Sequence, residues 1–160
     1  MIRVSCMRRQ LGIGMIEVLI AVLIVSIGFL GMAALQARAL STNNSAMARS
    51  MATVASYSIL DAMRADIVNA GTGAYNGTVT ANSCPATGTT LASAQLNAWC
   101  SQLGKALGAV ASTTGAVNCL AAGPTSVDCT VTIQYDDSRA GTLGTSVGSS
   151  AQKVTTEAGL

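Results

Sequence analysis

A long apolar segment dominates the first part of the chain. Twenty consecutive uncharged residues, Val18 to Ala37, separate Glu17 from Arg38, and nearly all of them are apolar. As an α-helix such a segment rises about 30 Å, which matches the hydrocarbon core of a bilayer. The pattern therefore predicts a helix that spans a membrane over about residues 16–37. A buried helix of a soluble protein is the alternative.

The same helix is expected to continue beyond the apolar segment. No Pro occurs before Pro85 and no Gly occurs between Gly31 and Gly71, so one helix could reach residue 69. Its second part, from Arg38 to Val68, is amphipathic. The apolar positions expected to pack on a globular head are Leu40, Met47, Met51, Val54, Tyr57, Leu60, Met63 and Ile67. The polar positions expected opposite them are Asn43, Ser45, Arg49, Ser56, Asp61 and Asp66.

A loop and a second helix are predicted next. Gly, Thr, Ser and Ala are abundant in residues 71–88, whose Gly and Asn-Gly turn signals indicate a loop. A helix is predicted from about Leu91 to Leu107, with Thr89 or Thr90 as its cap and glycine 108 after its end. Its apolar face includes Trp99, the only tryptophan, which is expected to anchor the core.

The last part of the chain has the alternation of an antiparallel sheet. Two strands are predicted, within residues 116–121 and 129–135, joined by a turn at Gly123 and Pro124. Val131, Ile133 and Tyr135 would face the covered side of the sheet, and the residues between them would face solvent. Residues 153–157 could supply a last, short strand. The expected fold class is therefore α+β, with a long N-terminal helix packed on a small antiparallel sheet.

The amino-acid composition argues against several classes of function. Half of the 160 residues are hydrophobic, 10% are charged, the formal net charge is +2 and there is no histidine. The lack of histidine removes the Ser/His and Cys/His nucleophile pairs and the commonest metal ligand. We therefore expect no enzyme activity, no catalytic residues, no metal and no cofactor. The small net charge gives no indication of a nucleic-acid partner.

The placement of the charges orients the predicted membrane helix. Arg3, Arg8 and Arg9 precede the apolar segment, and no acidic residue occurs before Glu17. Positively charged flanks stay on the cytoplasmic side of a membrane. The N-terminus is therefore expected in the cytoplasm, and everything after Arg38 is expected to be exported.

The cysteines agree with export. Cys6 lies in the basic N-terminal stretch, and the other four lie in the part expected in an oxidising compartment, which favours disulfides. No CxxC pair occurs, and the separations are too wide for a zinc ribbon. Four cysteines allow three pairings. We expect Cys84 to pair with Cys100 and Cys119 with Cys129, because a turn at residues 123–124 places residues 119 and 129 nearly opposite each other on paired strands.

The junction between the basic stretch and the apolar segment carries a specific resemblance. The segment GIGMIEVLIAVLIVSIGFLGMAALQ, residues 12–36, resembles the class III signal of type IV prepilins. A short basic leader, a glycine, a long apolar stretch and a glutamate at its fifth position coincide here. The resemblance implies that residues 1–12 are a leader peptide, that a prepilin peptidase cuts between Gly12 and Ile13, and that Glu17 is the fifth residue of the mature protein.

Within that family, the segment SIGFLGMAALQ, the amphipathic helix and the four-cysteine head look most like the PilV group of minor pilins, also called type IV pilus modification proteins. The segment VTIQYDDSRAG is similar to the late strand and turn of that group. The resemblance implies a helical stem over residues 13–69 and a periplasmic head over residues 70–160. It also implies an inner-membrane precursor that later joins other major and minor pilins in the pilus.

The resemblance further implies roles at the new N-terminus. Cleavage would create an α-ammonium group at Ile13, with which Glu17 of the same or a neighbouring subunit would pair. Major pilins generally have Phe at the first mature position, so methylation of Ile13 stays open.

The sequence leaves several other interpretations of the N-terminal segment and of the function open. The Ala37-Arg38-Ala39 pattern would suit an ordinary secretory signal cut after Ala39, which would leave a soluble periplasmic protein. An uncut membrane anchor is a second alternative. A minor pseudopilin of a type II secretion system would share the leader, Glu17 and the stem. An adhesin-like binding head is a function of a different class.

Overall fold

The computed structural model describes residues 14–123, 126–138 and 148–160. Within these ranges the elements in chain order are α1 (Met15–Ala65), α2 (Ile67–Gly71), β1 (Gly77–Thr80), α3 (Leu91–Leu107), β2 (Thr114–Ala121), β3 (Val127–Tyr135) and β4 (Gln152–Gly159). A 51-residue N-terminal helix and an antiparallel sheet with helices packed on it form the expected α+β layout. Two compact units divide the chain, Met1–Ala39 and Leu40–Leu160, and α1 contributes to both.

The long helix ends at Ala65, a few residues before the predicted end near residue 69. Asp66 leaves the helical region, with φ −131° and ψ 48°. Its carboxylate accepts hydrogen bonds from the Tyr75 hydroxyl at 3.1 Å and from the Asn69 side chain at 2.7 Å. An Asp that forms local hydrogen bonds of this kind competes with the helix for the chain. The short α2 follows the break.

In the described part of the chain, the sheet has the strand order β1-β2-β3-β4, and all neighbours are antiparallel. Strand β2 pairs with β3 so that Val117 lies opposite Val131 and Cys119 opposite Cys129. The predicted alternation of β3 is confirmed, because Val131, Ile133 and Tyr135 are all buried. The last strand is longer than predicted, since β4 begins at residue 152 and ends at residue 159.

Strand β1 corrects the prediction that residues 71–88 are only a loop. It has four residues, two of them Thr and one Gly, so it lacks the apolar alternation by which strands are recognised. The side chain of Asn76, the residue before β1, forms two further hydrogen bonds with β2. The Asn76 amide nitrogen donates to the Cys119 carbonyl at 3.0 Å, and the Asn76 amide oxygen accepts from the Cys119 N–H at 2.7 Å. These two bonds extend the ladder by one step.

Helix α3 has the bounds that the sequence predicted. The Thr90 hydroxyl oxygen accepts a hydrogen bond from the Ser93 N–H at 3.2 Å, so Thr90 is the N-cap. Gly108 ends the helix with φ 103°, a conformation that residues with a Cβ rarely adopt. Trp99 is buried in the core, as expected.

The face that α1 turns toward the core was predicted correctly only in part. The buried residues of α1 are Ala52, Ala55, Ser56, Ile59, Leu60 and Met63. Only Leu60 and Met63 belong to the predicted apolar stripe. Of its other members, Met51 and Ile67 are partly buried, and four are exposed: Leu40, Met47, Val54 and Tyr57. Ser56, which was expected on the polar face, is fully buried, and its hydroxyl donates to the Ala52 carbonyl at 3.1 Å.

The ring of Trp99 contacts the small-residue part of this face. Its indole Nε1 donates a hydrogen bond to the Ala55 carbonyl oxygen at 2.9 Å. A buried indole needs a partner for its N–H and space for its ring. Alanine and serine side chains leave that space, whereas methionine and valine at the same positions would fill it. Small residues therefore pack inward beside the indole ring, whereas the large Ile59, Leu60 and Met63 are buried further along α1.

Candidate functional site

The first half of α1 exposes apolar side chains all around the helix. In the unit that ends at Ala39, every described residue is exposed. The part of the chain that the structure describes contains one helix long and apolar enough to cross a membrane, and this is α1. None of its most apolar stretch is buried against protein. The helix is thus compatible with membrane anchoring, and water is an unfavourable environment for this surface.

Glu17 lies in the first turn of α1. Its backbone N–H donates to the Gly14 carbonyl at 3.0 Å, which closes that turn. A carboxylate in a first helical turn interacts favourably with the helix dipole. The predicted cleavage site, Gly12 and Ile13, lies outside the described residues.

An exposed apolar stripe extends along the second half of the same helix. Leu40, Met47 and Val54 are 62%, 57% and 60% exposed. They are seven residues apart, and at about 100° per residue three such positions lie on one side of a helix. Ala55 and Ile59, which are buried in the head, point in a different direction. Helix α1 therefore has one face for the head and another, the exposed stripe, that the described part of the chain leaves accessible.

Two disulfides join the four cysteines of the head, in the pairs that the sequence predicted. Cys84 is bonded to Cys100 and Cys119 to Cys129. The first bond ties the segment after β1 to α3. The second crosses the β2–β3 pair at opposite register positions. The Cys119 sulfur also lies 3.5 Å from the sulfur of Met63, so this bond packs directly against α1.

A buried carboxylate joins the residues that directly follow β3 to α1. The Ser45 hydroxyl donates to the Asp137 carboxylate at 2.5 Å, and Asp137 is 7% exposed. The Asp137 N–H donates to the Ser149 carbonyl at 2.9 Å. Burial raises the pKa of neighbouring Tyr135 and the Asp137 carboxylate raises it further, whereas the positive charge of Arg49 acts in the opposite direction. Ser45, which was predicted on the polar face of α1, is thus in contact with Asp137.

The described residues contain no candidate metal site and one apolar depression. No group of three or more His, Cys, Asp or Glu side chains among them is placed to hold a metal ion. The described residues that line a shallow depression near α2 and the start of β3 are mostly apolar, and the one side-chain hydroxyl among them is that of Ser126; the others are Ile67, Val68, Gly71, Ala121, Gly123 and Val127. Ligand sites usually combine an apolar lining with several convergent polar groups. The outer surfaces of α1 and of the sheet are therefore better candidates for function.

The sequence reasoning missed two features of these surfaces. It assigned Leu40, Met47 and Val54 to the core, although the small residues Ala52 and Ala55 at helical spacing could have indicated a closer-packed face. It also gave no role to the outer edge of β4, which has no neighbouring strand among the described residues and which the alternation of residues 152–159 could have indicated.

Comparison of the chain with known protein families, with curated proteins and with solved structures finds no match. The fold itself is nevertheless informative. A long apolar N-terminal helix whose second half packs on a small, disulfide-bonded antiparallel sheet is a pilin-like arrangement.

Proposed function

We propose that this chain is a minor pilin of a type IV pilus, similar to the PilV group. The first half of α1 holds the precursor in the inner membrane with the head in the periplasm. A prepilin peptidase removes the leader after Gly12. The mature subunit then leaves the membrane and packs its stem among those of other pilins, where it promotes pilus assembly and the adhesion or motility that depends on pili.

The observation that carries this proposal is the length over which α1 stays apolar and exposed. The helix has 51 residues, and at about 1.5 Å per residue it is roughly 77 Å long. A bilayer core of about 30 Å covers only the first part of it. Met47 and Val54 come after the roughly 20 residues that a bilayer core covers, and both are exposed. A bundle of parallel stems would cover both the apolar half and the exposed stripe.

The stripe supplies the first test. Met47→Gln and Val54→Gln keep good helix propensity and do not touch the buried face of α1. We expect both variants to fold normally and to be depleted from sheared pili, because each places a polar amide in an apolar stem interface. Ala46→Gln, at an exposed position about 100° around the same helix from Met47, is the matched control. Incorporation of both stripe variants at the wild-type level would show that the stripe has no role in assembly.

Glu17 supplies the second test. A carboxylate in the apolar half of the helix costs about 3 kcal/mol in a bilayer unless it finds a partner. The proposed partner is the α-ammonium group created at Ile13, in the same or a neighbouring subunit. Glu17→Ala should therefore be cleaved normally but enter pili poorly. A Glu17→Ala subunit that is cleaved and assembles like wild type would refute the pairing.

A minor pseudopilin of a type II secretion system would use the same leader, Glu17 and stem, so deletion of the gene is needed to separate the two. Under the pilus proposal, deletion reduces surface pili and pilus-dependent motility or adhesion. Normal piliation with a selective loss of protein secretion would assign the chain to a secretion system instead.

A further inference from the structure

Strand β4 forms one edge of the sheet, and its outer side is unpaired in the part of the chain that the structure describes. The direction of its backbone groups follows from two hydrogen bonds at its end. Val127 and Leu160 exchange both of their backbone bonds, at 3.2 and 2.8 Å. In an antiparallel pair every second residue exchanges bonds in this way. Residues 153, 155 and 157 therefore direct their N–H and C=O groups away from β3, toward the free edge.

The charges on this edge are arranged symmetrically. Lys153 and Glu157 are both exposed on the outer face of the sheet, at equal distances along the strand from Thr155. If a second β4 paired antiparallel with the first about Thr155, each Lys153 would lie opposite Glu157 of the other copy. Opposite residues in a hydrogen-bonded antiparallel pair have Cα atoms about 5.5 Å apart, which is within reach of an ion pair.

The direction of the backbone N–H and C=O groups and the positions of the charges select the same register. Because residues 153, 155 and 157 direct their backbone groups outward, they can form hydrogen bonds only with the same three positions of the other copy. The charges require Lys153 to face Glu157. A shift by one residue would place outward groups opposite inward ones, and a shift by two would separate the charges. Asp128, which lies beside Glu157 on the outer face, adds negative charge at the end of the strand that would receive Lys153.

The inner face of the same strand supports pairing as well. Val154, Ala158 and Leu160 pack against the core but are only partly buried, because β4 has the sheet on one side only. In the register centred on Thr155, Val154 would lie beside Thr156 of the second copy. Pairing would thus remove further apolar surface from water.

We propose that the head forms a homodimer through antiparallel pairing of β4 with β4 of a second copy, centred on Thr155. The pairing joins the two sheets into one and forms two Lys153–Glu157 ion pairs related by a two-fold axis. The outward backbone N–H and C=O groups of β4 thereby bond to a specific partner instead of remaining open to other chains. This proposal does not depend on a role in pili, because the dimer is measured on the purified chain.

The charge pattern allows a sharp test on the full-length chain in detergent micelles. Lys153→Glu and Glu157→Lys should each raise the dimer dissociation constant by about tenfold or more, because each replaces two attractive cross-strand pairs by repulsive ones. The doubly exchanged variant should recover the dimer. An equimolar mixture of the two single variants should form a heterodimer, since one then carries only acidic and the other only basic groups at these positions. Lys105→Glu, an exposed charge reversal on α3, is the matched control.

A cross-linking experiment tests the register. Thr155→Cys in a Cys6→Ser background should form a covalent dimer on mild oxidation, because position 155 faces itself across the two-fold axis. Thr78→Cys, at an exposed position of β1 on the opposite edge of the sheet, should not. A chain that is monomeric at all concentrations would overturn the proposal. So would a dimer whose dissociation constant is unchanged by Lys153→Glu, since the apolar stems would then hold it together.

Discussion

The indole Nε1 of Trp99 donates a hydrogen bond, 2.9 Å long, to the backbone carbonyl oxygen of Ala55. This contact brings α3 against α1 at a residue whose side chain is a single methyl group. Ser56 and Ala52 continue the same small-residue surface. The indole ring therefore meets the small-residue part of the buried face of α1, and the exposed stripe, which the described residues leave accessible, lies on a different face.

Gly115 provides a test of this packing from the other side of the ring. A Cβ at Gly115 would lie 2.7 Å from Leu103 Cδ1 and also too close to Trp99 Cη2. We expect Gly115→Ala to lower the free energy of unfolding by about 1–3 kcal/mol, because the buried ring has to move. The fluorescence of Trp99, the only tryptophan, reports the transition during urea unfolding.

Gly159→Ala is the matched control for this substitution. A Cβ there would meet the Asp128 carboxylate at 3.5 Å, an ordinary van der Waals distance. Its unfolding midpoint should stay close to that of the wild type. If Gly115→Ala were as stable as the wild type, the close packing of Trp99 against β2 would be contradicted.

The fold was predictable from the sequence wherever one signal was strong. Helix α3 has both an N-cap threonine and a C-terminal glycine, and β3 alternates without interruption, so both were predicted well. Strand β1 was missed because its pairing with β2 starts from the Asn76 side chain, a long-range contact that no local pattern encodes. Periodicity showed that α1 is amphipathic. It could not show that a distant tryptophan would favour the side with the smaller residues.

The two disulfides should stabilise the head to a similar extent. Each closes a short segment, with sequence separations of 16 and 10 residues, so the loss of either should lower the free energy of unfolding by about 2–4 kcal/mol. The paired substitutions Cys84→Ala with Cys100→Ala, and Cys119→Ala with Cys129→Ala, avoid leaving a free thiol. Peptide mapping without reduction checks the pairing itself. A peptide that joined Cys84 to Cys119 or Cys129 would contradict the structure.

Alkaline pH should weaken the junction between α1 and α2. Burial is the main reason why the pKa of Tyr75 is raised from 10.0 to about 12, and the hydrogen bond to Asp66 and its negative charge add to the effect. Unfolded Tyr loses its proton near pH 10, whereas folded Tyr75 retains it. The stability that this difference provides is complete below pH 10 and is lost as the pH rises toward 12.

Comparison of wild type with Tyr75→Phe isolates this contribution. The variant should be less stable at neutral pH by about 1 kcal/mol because it lacks the hydrogen bond to Asp66, and its stability should decline less between pH 10 and 12. Tyr57→Phe, which changes an exposed ring on α1, is the control. Measurements in a Cys6→Ser background avoid thiol exchange at high pH. An unchanged alkaline slope in Tyr75→Phe would reject the assignment to Tyr75.

The mature N-terminus of the protein recovered from sheared surface filaments tests the proposed function most directly. The account predicts that traces of the protein are present in the filaments, that its sequence begins at Ile13, and that Gly12→Val blocks cleavage and removes it from them. A sequence that begins at Met1 or at Leu40, or the absence of the protein from filaments while it accumulates in the membrane or the periplasm, would contradict its role as a pilin.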